Sequence, residues 1–253
     1  MGDTWFGVAI VRTFCKTPTE MRSVGASSRF VIALSAASLL TAVAYAGNGG
    51  SRELSQEERA SLDKGALVQR PRVERRGSLD LMGGTSYQVI DAPLKVVWNA
   101  LLDTDHYHRM MPRVLEAKVV GDGSQVSSDS RERTVFMRQG AGPFERAYYL
   151  NVRVYPDRGD ITFSVDERRP HNVRAAWGFY TVRPYADGTK TLLAYGVMAD
   201  LDVGGIGVFV RDDMHDWLLK VPWTVKRFVE GSGRWIYKKV WGEQVSQQLR
   251  ARG

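Results

Sequence analysis

Hydrophobic residues follow two different spacings along the chain, and the change of spacing divides it into predicted helices and strands. Around residue 100 the apolar positions lie three or four apart, at Leu94, Val97, Trp98, Leu101 and Leu102. This spacing predicts a helix with one buried face that ends near Asp103. Pro93 suits its first turn, because a proline there gives up no intrahelical hydrogen bond. A short helical turn is predicted from Asp105 to Met110.

From Val114 onward, runs of β-branched and aromatic residues alternate with turn residues, which is typical of strands. The six predicted strands are Val114–Val120, Arg131–Gln139, Phe144–Tyr155, Asp160–Asp166, Arg174–Arg183 and Thr189–Leu201. An earlier strand is predicted at Thr85–Asp91, after an extended segment over Ala66–Arg76. Short turns between successive strands indicate an antiparallel sheet with one face on a core.

Helical spacing returns over Arg211–Glu230, where Pro222 is expected to kink or divide a long helix. A final helix is predicted over Trp235–Leu249. Near the other end, a short helix is predicted from Leu54 to Asp63, with Ser55 as its N-cap and Glu58 three residues later. The order predicts an α+β fold whose sheet buries its apolar face against the long helix.

The segment Phe30–Ala46 has the three-part pattern of a secretory signal. It is apolar or small throughout, follows Arg22 and Arg29, and ends in Ala-Tyr-Ala. We interpret Met21 as the true start and expect cleavage near Ala46, which makes the protein periplasmic or secreted. The alternative is a membrane anchor, for which the segment is short and is diluted by polar residues.

Composition and charge exclude several classes of protein. With 43% hydrophobic residues the chain is not a disordered tail. It carries 35 basic and 28 acidic residues, a net charge of +7, but no run of five basic residues. We therefore predict no nucleic-acid partner and leave open a transient contact with an anionic membrane surface. Loss of residues 1–46 removes Cys15, which rules out thiol chemistry in the exported protein.

Several short motifs resemble the START-like, or SRPBCC, superfamily, which includes coenzyme Q-binding proteins, polyketide cyclases and birch-pollen allergens. They are VIDAP at Val89–Pro93, LDTD at Leu102–Asp105 and WGFY at Trp177–Tyr180. The resemblance covers about Thr85–Glu230. It implies a helix-grip fold: a curved antiparallel sheet of about seven strands around a long C-terminal helix, with an internal apolar cavity.

This resemblance sets the predicted organisation of the chain. Residues 1–46 are an N-terminal extension plus signal peptide, and residues 47–84 are a leader with a short helix and an extended segment. Residues 85–230 are the START-like domain, and residues 231–253 are a helical extension. Members of the superfamily mostly bind lipids, sterols, quinones or polyketides, and some are cyclases or hydrolases without a shared catalytic triad.

The polar residues give no clear catalytic or metal site. Asp103, Asp105, His106 and His108 are close in sequence, but two histidines two positions apart on a helix point in different directions. We predict capping and exposed roles for them, with no metal, no cofactor and no catalytic set. A glycine-rich turn at Gly204–Gly207 lacks phosphate-binding residues and is interpreted as shaping the cavity mouth.

One charged residue lies on a face that should point inward. Arg146 shares its side of the strand with Tyr148, so its guanidinium must meet a carboxylate, a carbonyl or a ligand head group. An ion pair with Glu132 is the alternative. The complete set of predicted ligand-binding residues is Arg146, Tyr148, Arg174, Trp177, Tyr180, Met214, Trp217, Leu218 and Val221.

The predicted function is binding or transfer of a lipid or other hydrophobic molecule in a cavity between the sheet and the C-terminal helix. The Gly204–Gly207 turn and the Pro222 kink would let that helix shift to admit the ligand. The alternative is a cyclase or aromatase acting on a polyketide-like substrate in the same cavity. A third possibility is a protein-recognition module, which predicts a cavity filled by side chains.

Overall fold

The computed structural model describes residues 53–127, 129–140, 142, 145–201, 207–243 and 246, excluding the side chains of 122–127 and 207–212. The predicted signal over Phe30–Ala46, the cleavage site and most of the Gly204–Gly207 turn lie outside the described residues. The described elements belong to one compact unit, Gly49–Gly253.

One antiparallel sheet of eight strands forms the body of the protein. In chain order the strands are β1 (Val68–Arg76), β2 (Leu79–Ile90), β3 (Val114–Ser127), β4 (Ser130–Gln139), β5 (Arg146–Tyr155), β6 (Asp160–Val165), β7 (Ala175–Tyr185) and β8 (Lys190–Asp200). Their order across the sheet is β1-β2-β8-β7-β6-β5-β4-β3. Each strand from β3 to β8 therefore pairs with its successor, as short connections require.

Six α-helices accompany the sheet in the described residues. They are α1 (Gln56–Asp63), α2 (Leu94–Leu102), α3 (Tyr107–Met110), α4 (Gly207–Leu219), α5 (Val221–Glu230) and α6 (Gly233–Ile236), with residues 238–243 also helical. A 3₁₀ turn, Thr104–His106, precedes α3. No helix of the described residues combines the length and the apolarity needed to cross a membrane.

The signals at helix ends are confirmed. In α1 the Ser55 hydroxyl accepts a hydrogen bond from the Glu58 amide, and the Glu58 carboxylate accepts one from the Ser55 amide. The predicted long helix divides between Leu219 and Val221 into α4 and α5. Pro222 lies in the first turn of α5, where its missing N–H is tolerated.

Strand β2 is longer than predicted because two glycines in its middle interrupt the apolar pattern. Gly83 and Gly84 have φ angles of +151° and +133°. A Cβ atom on Gly83 would lie 1.9 Å from the Val197 carbonyl oxygen, and one on Gly84 would lie 2.2 Å from that of Arg70. Glycine is required here because the two neighbouring backbones approach too closely for a side chain.

The predicted α+β helix-grip arrangement is confirmed, with eight strands instead of about seven. The main hydrophobic core lies between the inner face of the sheet and the helices, and its helical contribution comes mainly from Val97, Leu101, Leu218, Val225 and Phe228. His215 of α4 also contacts the sheet, since its Nε2 lies 2.5 Å from the Gly83 carbonyl oxygen. The sheet is therefore wrapped against α4 and α5.

A second, smaller hydrophobic cluster lies under α1. It contains Leu62, Val68, Tyr87 and Val89. Because Tyr87 and Val89 alternate with the inward-facing side of β2, this cluster covers the outer face of the sheet. The segment before residue 85 thus supplies β1, the start of β2 and a helix packed on that face.

Candidate ligand-binding cavity

A cavity of about 100 Å³ lies between the inner face of the sheet and α4. Its walls are mostly aliphatic side chains from alternate positions of five strands, among them Val135, Leu150, Val152, Ile161 and Val197. Alternation along each strand sends every second side chain inward, so a curved sheet supplies a continuous apolar wall. Helices α4 and α5 close the other side.

Seven of the nine predicted ligand-binding residues line this cavity: Arg146, Tyr148, Tyr180, Met214, Trp217, Leu218 and Val221. They come from β5, β7, α4 and the first residue of α5. Helical spacing on one side and strand alternation on the other are what bring them together.

Arg174 and Trp177 do not line the cavity. Trp177 alternates with Ala176 and Tyr180, both of which face inward, so its ring lies on the outer face of β7, with the Arg76 guanidinium 5.7 Å away. Arg174 precedes β7 and pairs with Asp200 at 3.2 Å. Both residues contribute to the outer side and the end of the sheet.

The polar end of the cavity is built around Arg146. Its Nε donates to the Leu201 carbonyl oxygen at 3.1 Å, and its Nη1 donates to the Glu145 carbonyl oxygen at 3.0 Å. The alternative partner, Glu132, contacts Arg153 at 3.4 Å instead. Arg146 is opposite Gln139 in the sheet, and Glu132 lies seven residues away along β4, roughly 23 Å at strand spacing.

Four tyrosines line the cavity, and two of them form an aromatic cluster with Phe163. The Tyr180 and Tyr195 ring centroids are 4.9 Å apart, and Phe163 lies 5.6 Å and 6.3 Å from them. The Tyr148 hydroxyl donates to the Gln139 side chain at 2.6 Å, and the Tyr107 hydroxyl donates to the Leu101 carbonyl at 2.6 Å.

Burial raises the pKa of all four tyrosines, Tyr107, Tyr148, Tyr180 and Tyr195, well above the ordinary value for a phenol. Each hydroxyl is therefore protonated at neutral pH. The tyrosines can donate hydrogen bonds to a ligand, but none of them is a general base near neutral pH.

Two hydrogen-bond donors of the cavity wall have no acceptor within the described residues. The Trp217 indole nitrogen is fully shielded from solvent and has no partner there. The Tyr195 hydroxyl also makes no hydrogen bond to another described residue, although only 4% of that residue is exposed. An unpaired buried donor is costly, and an oxygen atom of a ligand or a water molecule would satisfy it.

Several cavity residues were absent from the predicted set, including Tyr107, Met111, Gln139 and Tyr195. Strand parity is a signal that would have found two of them. Tyr195 shares its side of β8 with Val197 and Ala199, and Gln139 shares its side of β4 with Val135 and Met137. Tyr107 and Met111 follow a short helical turn, for which the sequence carries no comparable periodicity.

The polar cluster near residue 105 has a structural arrangement. The Asp103 carboxylate lies 2.9 Å from His106 Nδ1 and accepts a hydrogen bond from the Tyr237 hydroxyl at 2.7 Å. His108 is exposed. Across the described residues, no group of three His, Cys, Asp or Glu side chains is placed to hold a metal ion.

Among the described residues that line the cavity there is no Asp, Glu or His. The polar lining consists of one guanidinium, one amide, four phenols and one indole N–H, which are mainly hydrogen-bond donors. Such a wall can orient an oxygen atom of an apolar molecule, but it offers no side chain suited to proton abstraction.

Comparison with known proteins gives one family match. Residues 90–220 match the family described as polyketide cyclase / dehydrase and lipid transport. No curated protein matches the chain.

Solved structures of similar fold cover most of their own length with this chain. A START superfamily protein from Mycobacterium smegmatis has 12% identity over 58% of this chain and 97% of its own, with a TM-score of 0.45. The Zhui aromatase/cyclase from Streptomyces sp. R1128 has 15% identity over 60% and 98%, with a TM-score of 0.43. Human StAR-related lipid transfer protein 5 has 12% identity over 63% and 86%, with a TM-score of 0.43.

Proposed function

Because the chain belongs to the polyketide cyclase / dehydrase and lipid transport family, we propose that it binds and transfers a lipid or similar hydrophobic molecule. The observation that carries this proposal is the cavity wall, which is apolar except for neutral or cationic donors. Burial of the ligand's apolar body supplies the affinity, at about 25 cal/mol per Å² before the costs of ordering.

The orientation of the ligand follows from the two unpaired donors. Trp217 Nε1 and the Tyr195 hydroxyl have no acceptor within the described residues, so a ligand with an oxygen atom gains hydrogen bonds that a pure hydrocarbon lacks. We therefore propose a ligand with a long or polycyclic apolar body and a hydroxyl, carbonyl or ester group.

Uptake of such a ligand requires the cavity to widen. Ligand pockets in proteins usually measure roughly 300–1,000 Å³, whereas this cavity measures about 100 Å³. The break between α4 and α5 lets α4 tilt away from the sheet while α5 stays packed on it. The side chains that would move with α4 include Met214, Trp217 and Leu218.

A cyclase or aromatase is the alternative function. It requires a group that removes a proton from the substrate, and the described lining supplies no carboxylate or imidazole for this step. Turnover of a polyketide mimic that disappears in a folded Arg146→Ala variant would favour the enzyme over the carrier.

We also propose that the protein is exported. The support is the signal pattern over Phe30–Ala46 with its Ala-Tyr-Ala end. N-terminal sequencing of the protein recovered from the periplasm or medium should give a chain that starts at Gly47. Recovery of an uncleaved chain in the membrane fraction would replace this proposal with the anchor.

The proposed partners are the ligand and an anionic membrane, without a nucleic acid. Many basic side chains are paired with carboxylates across the outer surface, for example Arg70 with Glu58 at 2.6 Å and Arg183 with Asp160 at 2.9 Å. Such pairing leaves less positive charge for a phosphate backbone, which requires a continuous basic face.

Native mass spectrometry after incubation with a bacterial lipid extract tests the binding proposal. We expect one retained lipid per chain. An Ala176→Phe variant, which fills the cavity, should lose it, whereas Ala175→Phe, on the opposite face of β7, should keep it. Equal loss in both variants with unchanged circular dichroism, or a wild-type protein that stays empty, would overturn the proposal.

A further inference from the structure

The residues after α5 form a short helical segment with one buried side and one exposed side. Gly233 and Tyr237 are buried, whereas Arg234, Trp235, Lys238 and Lys239 are exposed. The exposed positions are related by steps of one and four, so they share one face of a helix. We call these four residues, together with the exposed Ile236, the C-terminal basic surface.

The segment is held firmly in place from its buried side. The Tyr237 hydroxyl donates to the Asp103 carboxylate at 2.7 Å, and its ring packs edge-on against Phe228 at 6.4 Å. The Tyr237 amide donates to the Gly233 carbonyl at 2.8 Å, and the Trp241 amide donates to the Tyr237 carbonyl at 3.0 Å. The exposed side chains are therefore displayed by a fixed backbone.

Two large apolar side chains are exposed on this surface. Trp235 is 79% exposed, the highest value among the large apolar residues that are exposed, and the adjacent Ile236 is 37% exposed. Scattered single apolar residues on a surface are normal. A neighbouring Trp-Ile pair on an anchored segment, surrounded by cations, is a different arrangement.

The charge of the surface is positive throughout. From Gly231 to Lys239 the sequence has three basic residues and no acidic residue. Lys238 and Lys239 form no ion pair within the described residues. The Arg234 guanidinium lies 5.1 Å from the Trp241 ring centroid, which keeps its charge close to the segment.

We propose that the C-terminal basic surface docks the protein on an anionic lipid bilayer. Tryptophan partitions to the boundary between head groups and acyl chains, and each nearby Lys or Arg adds attraction to anionic lipids. The inference rests on the proposed function, because a transfer protein must meet a membrane. It goes beyond it, because the surface lies outside the residues 90–220 that match the family.

The surface is linked to the cavity by one helix. Helix α5 begins at Val221, which lines the cavity, and ends at Glu230, directly before the segment. Its ten residues span about 15 Å, so a docked protein holds the cavity within reach of the bilayer surface.

Co-sedimentation with vesicles tests the docking proposal. We expect binding to vesicles of phosphatidylcholine mixed with phosphatidylglycerol, weaker binding as NaCl is added, and little binding to phosphatidylcholine alone. Lys238→Glu/Lys239→Glu should weaken binding at least about tenfold, and Trp235→Ala should weaken it by roughly tenfold.

A second double variant controls for net charge. Lys64→Glu/Arg75→Glu makes the same change at exposed positions near α1 and β1 and should leave vesicle binding within about twofold of wild type. Equal loss in the two double variants, or no binding of the wild type to mixed vesicles, would overturn the docking surface. So would a Trp235→Ala variant that abolishes dimerisation, or binding of an acidic protein, without changing vesicle binding.

Lipid loading of the same variants separates this proposal from the proposed function. A wild type that retains lipid in native mass spectrometry but ignores vesicles contradicts only the docking surface. A wild type that binds mixed vesicles but never retains lipid contradicts only the carrier function.

Discussion

Gly83 shows how a single residue shapes the cavity wall. Its backbone lies so close to β8 that a Cβ atom would be 1.9 Å from the Val197 carbonyl oxygen. Val197 itself lines the cavity. The curvature of the sheet at this point therefore depends on the absence of a side chain on β2.

We predict that Gly83→Ala destabilises the protein by more than about 2 kcal/mol, since it adds a backbone clash to an unfavourable φ angle. Urea denaturation measures the change. Gly77→Asn is the matched control, because Gly77 also has a positive φ but no atom within 4 Å of the added Cβ. A Gly83→Ala variant as stable as that control would contradict the assigned backbone approach.

Trp217 allows a prediction about ligand choice. Replacing it with Phe keeps an aromatic wall but removes the unpaired indole donor. We expect Trp217→Phe to lower affinity for a lipid alcohol about five- to tenfold while hardly changing affinity for the hydrocarbon of equal length. Competition against a fluorescent acyl probe measures both. Trp223→Phe, at an exposed position of α5, is the control, and equal losses for alcohol and hydrocarbon would exclude the hydrogen bond.

Single-residue predictions from the sequence succeeded where periodicity was clear and failed where parity was ignored. The helical set Met214, Trp217 and Leu218 was placed correctly because these residues repeat at helical spacing. Trp177 and Tyr180 were predicted together although three positions apart in a strand, which puts them on opposite faces. The exact partner of Arg146 depends on strand register, which the sequence leaves open.

At the scale of elements, α1 is attached to the outer face of the sheet by both packing and charge. Arg70 of β1 donates to both Glu58 carboxylate oxygens, at 2.8 Å and 2.6 Å. The Tyr185 hydroxyl donates to Asp63 at 2.5 Å. The helix that precedes the matched family region is thus a fixed part of the structure.

This attachment makes the stability of α1 dependent on pH. The hydrogen bond from Arg70, with that from the Ser55 amide, lowers the pKa of Glu58 from 4.5 to about 2. A lowered pKa in the folded state gives stability that is complete above the unfolded pKa and is lost as the pH falls through the folded pKa. We predict a loss of stability between about pH 4.5 and pH 2 that is smaller in Glu58→Gln.

Urea midpoints measured across that pH range test this prediction. Glu57→Gln, a neighbouring exposed carboxylate on the same helix, is the control and should retain the wild-type acid dependence. If Glu58→Gln follows wild type at every pH, the Glu58–Arg70 pair does not hold the helix.

Element prediction worked best at caps and prolines and worst at internal turn residues. The Ser55 capping box and the division near Pro222 are local signals, and both were confirmed. Strand β3 was expected to end at Val120, before a Gly-Asp-Gly sequence that resembles a turn. The strand continues to Ser127 because pairing with β4 overrides that local preference.

At the scale of the whole molecule, the sheet and the two halves of the C-terminal helix act as opposing walls. The sheet is fixed by continuous antiparallel pairing from β1 to β3, whereas α4 is separated from α5 at Lys220. A small cavity in this arrangement indicates a closed conformation, and ligand entry is the movement of one wall. The arrangement of elements followed from their order in the sequence, but the cavity size did not, since it depends on side-chain packing.

A crystal structure of the protein loaded from a bacterial lipid extract tests the central claim most directly. We predict continuous ligand density between the sheet and α4, with a polar group within hydrogen-bond distance of Trp217 Nε1 or the Tyr195 hydroxyl and with α4 displaced outward. Lipid density only on the outer surface, with the space between β5, β7 and α4 closed by side chains, would contradict the account.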